Sequence, residues 1–97
     1  MNDKIKSPAI DNLFKAILSL ESVEECYDLF EDLCTIAEIQ EMAKRLTAAK
    51  MLSAGAKYSD IADRTGLSTA TISRVNRALK YGTDGYIKVL ERIDYED

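Results

Sequence analysis

Residues 58–80 read YSDIADRTGLSTATISRVNRALK, two short apolar periodicities joined at a single glycine. Ser59 is placed to cap a short helix that carries Ile61 and Ala62, Gly66 stands where the chain must reverse with positive φ, and Ser68 is placed to cap the helix that follows. Leu67, Ile72 and Val75 lie one, six and nine positions after the glycine, on the inside of such a bend. Two helices that cross steeply need a small residue at their contact, and Ala62 supplies it four positions before Gly66. The pattern predicts a helix-turn-helix over about residues 58–80; an ordinary helical hairpin inside a bundle is the competing reading.

The second helix of this unit has a distinctive outer face. With Ile72, Val75 and Leu79 turned inward, it presents Thr69, Ser73, Asn76, Arg77 and Lys80 outward, with Arg74 at the edge. No carboxylate occurs between Arg64 and Asp84. A helix of this kind fits the major groove of B-DNA, where hydroxyl and amide side chains meet base edges or phosphates and arginine holds guanine with two hydrogen bonds. Carboxylates there would repel the phosphate backbone. The candidate DNA-binding residues are Ser68, Thr69 and Ala70 at the helix start, followed by Ser73, Arg74, Asn76, Arg77 and Lys80. A merely solvated face is the alternative.

The rest of the chain also has helical periodicity, so the fold class expected is all-α. Ser7 and Pro8 read as an N-cap and first helical residue, after which Ile10, Leu13, Phe14, Ile17 and Leu18 form one apolar stripe. Ser22 with Glu25 makes a capping-box pattern before a stripe of Cys26, Tyr27, Phe30 and Leu33, and Thr35 with Glu38 repeats it. A third helix of about twenty residues, carrying Ile39, Met42, Ala43, Leu46 and Ala49, runs to a stop at Gly55. Gly82, Thr83 and Asp84 break the chain before a short last helix marked by Tyr86, Val89, Leu90 and Ile93. Residues 1–97 read as a single helical domain.

Charge is partitioned along the chain. Residues 1–43 carry three basic and ten acidic side chains, residues 44–81 eight basic and two acidic, and residues 82–97 two basic and five acidic. The overall net charge of −4 thus conceals a basic block that coincides with the helix-turn-helix. With no histidine, zinc-ligand patterns and histidine-based catalysis are excluded, and two cysteines, Cys26 and Cys34, do not make a disulfide framework. Cys26 lies on an apolar stripe beside acidic neighbours, which disfavours a thiolate nucleophile, and the glycines are isolated rather than forming a phosphate-cradling loop. No enzyme, no metal and no cofactor are expected. The first residues lack the apolar core of a signal peptide and no run is long enough to span a membrane, so a cytoplasmic protein is expected.

CTIAEIQEMAKRL (34–46), followed by a helix, a glycine turn and TATISRVNRALKYG (69–82), resembles the Trp repressor superfamily, most closely its TrpR-like YerC/YecD family. The likeness covers about residues 10–93 and includes EECYDLFEDLCT (24–35) and the DGY of 84–86. It implies an all-helical, intertwined homodimer that sets two recognition helices on successive major grooves of double-stranded DNA, hence a transcription regulator, as a repressor. The residues favour a dimer independently. A chain of this length buries only roughly 60–65% of its unfolded surface, and the aromatic-bearing stripes of the N-terminal helices, about residues 8–34, call for a partner's cover. A compact monomeric bundle is the alternative assembly. The acidic terminal segments also fit a different function, an interaction module whose basic face docks an acidic protein.

The resemblance further implies an effector pocket. In the Trp repressor two arginines sandwich an indole, and a threonine pair and a serine help to hold the amino acid; Arg45, Arg74, Thr35 and Thr71 stand at the matching arginines and threonines. The serine is replaced by Ala78, and the glycine after the second arginine by Val75. A lost hydroxyl and added methyls count against tryptophan as corepressor. That leaves another small effector, an ion pair with a carboxylate such as Glu41, or phosphate contacts as uses for the two arginines.

Overall fold

Hydroxyl side chains start four of the six described α-helices. A computed structural model of the chain describes residues 3–95, which form a 3-10 turn over Asp3–Ile5 and six α-helices: α1 Pro8–Leu18, α2 Val23–Leu33, α3 Ile36–Ser53, α4 Tyr58–Thr65, α5 Thr69–Tyr81 and α6 Gly85–Arg92. Ser7, in extended conformation, accepts at Oγ from the Ile10 N–H (3.1 Å), with Pro8 in the first helical position. Ser22 does the same for the Glu25 N–H, and the Glu25 carboxylate reaches back to the Glu21 N–H. At α3 the box is reciprocal: Thr35 Oγ1 accepts from the Glu38 N–H (3.1 Å) and Glu38 Oε1 from the Thr35 N–H (2.8 Å). These bonds, backbone first, hold the Glu38 carboxyl below its ordinary pKa. No described helix is long and apolar enough to cross a membrane.

The chain divides into two compact units inside α3, Met1–Ile39 and Gln40–Asp97. In the first, neither α1 nor α2 has a buried residue. Ile10, Leu13, Ile17, Cys26 and Phe30 are half-buried, while Phe14, Leu18, Val23, Tyr27 and Leu33 are exposed.

The second unit has its own core, made by Ala48, Ala49, Ile61, Leu67, Ile72 and Val75, with Met51, Leu52, Ala62, Tyr86 and Leu90 packed against it. Ile61 and Ile72 are fully buried, each contributing about 1.5–3 kcal/mol. Ala48 and Ala49 have no exposed surface, so α3 brings its backbone close to this core there, while Met51 and Leu52 add side-chain bulk one turn on. α3 ends in a Schellman arrangement: Gly55 takes φ 85°, its N–H donates to the Leu52 carbonyl, and the Ala56 N–H donates to the Met51 carbonyl. The chain re-enters helix at once, with Lys57 at the cap position of α4 and its carbonyl accepting from the Ile61 N–H. Ser59 is therefore not the cap expected from sequence. The tight stop at Gly55 starts the helix earlier and leaves that serine inside its first turn, and Lys57 makes no side-chain cap.

The reversal between α4 and α5 is built from four consecutive residues. Buried Thr65 donates its hydroxyl to the Ile61 carbonyl (2.7 Å) and accepts from the Leu67 N–H (3.1 Å). Gly66 is left-handed, φ 75°, with its N–H on the Ala62 carbonyl (2.8 Å). Leu67 enters the core, and Ser68 caps α5 through the Thr71 N–H (3.1 Å). At the far end of α5, Gly82 is needed for a different reason: its φ is not positive, but a Cβ there would overlap the Ala78 carbonyl oxygen. The left-handed residue of the next turn is Asp84, φ 65°, a type that tolerates this conformation better than most. The C-terminal segment returns to α3, where Tyr95 Oη lies 2.6 Å from Thr47 Oγ1. Thr47 donates its own proton to the Ala43 carbonyl, so Tyr95 is the donor.

Two stability predictions follow from the reversal. No atom lies within 4 Å of a Cβ built on Gly66, so a substitution there costs backbone strain alone. Gly66→Val should lose more than about 1 kcal/mol and Gly66→Asn distinctly less, as read from thermal melts; equal loss in both would place the strain elsewhere. Thr65→Val keeps the side-chain shape but orphans the Leu67 N–H, so urea unfolding should report a loss of about 1–3 kcal/mol.

Candidate nucleic-acid interface

The core fixes which side of α5 faces outward. Ile72 and Val75 are buried and Leu79 half-buried, which turns Thr69, Ala70, Ser73, Arg77 and Lys80 to the surface. Ser68 is also exposed, though its oxygen is engaged in the helix cap. Asn76 departs from the sequence reading: it directly follows Val75 and is half-buried rather than fully presented. Arg74, Arg77 and Lys80 have no ion-pair partner among the described residues. The surface thus carries hydroxyls and methyls over its first two turns and cations over its last two, with no carboxylate in α5 to offset them.

Arg74 faces a second feature. Together with Arg45, Thr71, Val75, Ala78 and Tyr86 it lines a cleft of about 210 Å³. A wider, mainly apolar cleft of about 700 Å³ shares Arg45, Ala78 and Tyr86 and extends to Met42, Leu46 and Val89. Three of the four residues expected at an effector pocket, Arg45, Thr71 and Arg74, therefore meet at one place. Thr35 belongs to the other unit, where its hydroxyl is engaged in the cap of α3. Arg45 lies 3.9 Å from the Glu41 carboxylate one turn earlier on α3, a largely exposed pair of the kind that contributes well under about 1 kcal/mol.

Sequence reasoning missed three residues here. Thr65 holds the turn from inside, a role that its place among polar turn residues does not reveal. Tyr86 lines both clefts; the apolar periodicity of α6 and the DGY run of 84–86 mark it in the sequence, but neither places it at a cleft. Tyr81 ends α5 with 83% of its surface exposed, a large aromatic beside the cationic turns.

With this geometry in place, comparison with known proteins is direct. The family described as Trp repressor protein matches residues 8–94. The uncharacterized protein YerC of Bacillus subtilis (strain 168) is 54% identical over 91 residues, covering 94% of this chain and 88% of YerC. The crystal structure of a TrpR-like protein from Eubacterium eligens superposes with a TM-score of 0.90 at 57% identity, covering 94% of each chain. A candidate Trp repressor from Staphylococcus aureus superposes at 0.91 and 49% identity, over 99% of this chain and 97% of its own. The all-α fold is that of these TrpR-like proteins, and the chain belongs to the Trp repressor family.

Proposed function

We propose that this protein is a sequence-specific DNA-binding transcription regulator, a repressor acting as a homodimer through α4 and α5. The observation that carries the reading is the outer face of α5: exposed hydroxyls, methyls and unpaired cations on the second helix of a rigid helix-turn-helix, without a carboxylate. Such a face offers base-edge contacts at one end and phosphate contacts at the other. Membership of the Trp repressor family supports it.

Dimerisation is supported by what the first unit leaves uncovered. Leu18, Val23 and Tyr27 expose 83%, 73% and 66% of their surface, and nothing in α1 or α2 is buried. Contiguous apolar surface of this kind is what a subunit interface covers. Two-fold pairing would present two copies of α5 to half-sites about one DNA turn apart, roughly 34 Å.

Tryptophan is not part of this reading. Val75 and Ala78 line the cleft where the family's ligand would need a smaller residue and a hydroxyl, and Arg45 is already beside Glu41. A small anionic effector held between Arg45 and Arg74, near Thr71, would be the ligand compatible with these walls.

Two measurements test the proposal. Arg77→Ala, at an exposed position without a packing role, should leave the melting temperature unchanged. It should weaken operator binding by about 1–3 kcal/mol if it reads a guanine, or make the slope of log K against log salt shallower by about one unit if it holds a phosphate. Unchanged DNA affinity at every salt concentration would remove α5 as the recognition element and favour docking of an acidic protein on this face. Added tryptophan should alter neither quantity. Separately, sedimentation at micromolar concentration should give the mass of two chains, and Tyr27→Asp should shift it toward one; a single-chain mass for the unaltered protein would overturn the dimer.

A further inference from the structure

The DNA-binding reading leaves open how bases are told apart, and the arrangement of α5 narrows the answer. In a helix-turn-helix the residues at the start of the second helix meet base edges. The side chains able to grip a base with paired hydrogen bonds are placed elsewhere. Arg74 is exposed but lies at the edge of the outer face, where it lines the cleft with Arg45 and Tyr86. Asn76 is half-buried. Arg77 and Lys80 are exposed, but they follow Thr69 by eight and eleven residues, roughly 12 and 16 Å along the helix axis at 1.5 Å per residue. The Ser68 hydroxyl is engaged in the cap, accepting from the Thr71 N–H and donating its only proton to Thr71 Oγ1.

What the first turns offer to a groove is therefore Thr69, Ala70 and Ser73, all exposed. Two of these three present a methyl group, and the third a lone hydroxyl. In the major groove thymine alone carries a methyl, and its recognised partners are the methyls of alanine and threonine. An unpaired cationic end and a methyl-bearing start divide the labour between affinity and selection.

We propose that this protein selects its operator through thymine methyl groups packed against Thr69 and Ala70, while Arg77 and Lys80 hold phosphates. The proposal rests on the DNA-binding reading above and deepens it by naming what is recognised.

The test uses the full-length protein and a duplex library with a random core. Sequences enriched by selection are resynthesised with single thymine-to-uracil replacements, each of which removes one methyl and leaves base pairing intact. At thymines common to the two half-sites, the replacement should weaken binding about fourfold, the value of one buried methyl. Replacement outside the half-sites should have no effect and serves as the control. Thr69→Ser, which keeps the hydroxyl and removes the methyl, and Ala70→Gly should each bind thymine and uracil duplexes equally at the position they contact. Because the comparison is made within one variant, any general loss of stability cancels. If sequences are enriched but uracil is tolerated throughout the half-sites, thymine-methyl selection is overturned while DNA binding stands. If the uracil effect persists unchanged in both variants, its assignment to Thr69 and Ala70 is overturned. If no sequence is enriched and no complex survives competitor DNA, the DNA-binding reading falls and this inference with it.

Discussion

The orientation of α5 is set by a four-residue reversal whose conformation is held by its own hydrogen bonds. Gly66 supplies the left-handed backbone, the buried Thr65 hydroxyl ties the last turn of α4 to the Leu67 N–H, and Leu67 descends into the core before Ser68 starts the next helix. Each bond closes within a few residues, so the angle between α4 and α5 is fixed locally. Packing of Ile61 against Ile72 and Val75 then holds it. In the reading proposed above, a surface made of short side chains depends on a fixed backbone. Thr69, Ala70 and Ser73 cannot stretch to correct a misplaced backbone, as a lysine could.

The parts of the fold that were legible in the sequence are those governed by local chemistry. Ser7, Ser22, Thr35 and Ser68 each sit before an apolar period with an N–H three residues on to receive, and all four cap as expected. Gly55 and Gly66 were legible because few residues other than glycine enter the left-handed region. Ser59 misled because the Schellman stop at Gly55 moved the start of α4, a three-dimensional choice between two adjacent starts. Asn76 misled because periodicity assigns faces, not degrees of cover. The meeting of Arg45, Thr71 and Arg74 came from resemblance and not from spacing, since it depends on how α3, α5 and α6 assemble. Asp84, the left-handed residue between two glycines, carried no signal that set it apart from them.

Val75 links two features that would otherwise be independent. It belongs to the core that supports the helix-turn-helix, and it also forms a wall of the cleft beside Arg74. Enlarging the cleft by trimming this residue would remove packing from α5, while filling it would press on the same contact. Any occupant of the cleft is thus in mechanical contact with α5. Arg74 adds an electrostatic link, because it carries its charge from α5 to the cleft that Arg45 also lines.

The hydrogen bond from Tyr95 to Thr47 joins residues 48 positions apart, near the C-terminus of the chain and in the middle of α3. Such a bond contributes only about 1 kcal/mol, yet it ties the segment that follows α6 back to the middle of α3. A terminal helix of eight residues would fray freely if only its own ladder held it. Anchored beyond its last turn, α6 is tied to α3 by a side-chain bond as well as by the packing of Tyr86 and Leu90 on the core, and both oppose fraying from that end. The wall that α6 contributes through Tyr86 and Val89 accordingly keeps its shape for as long as the unit is folded.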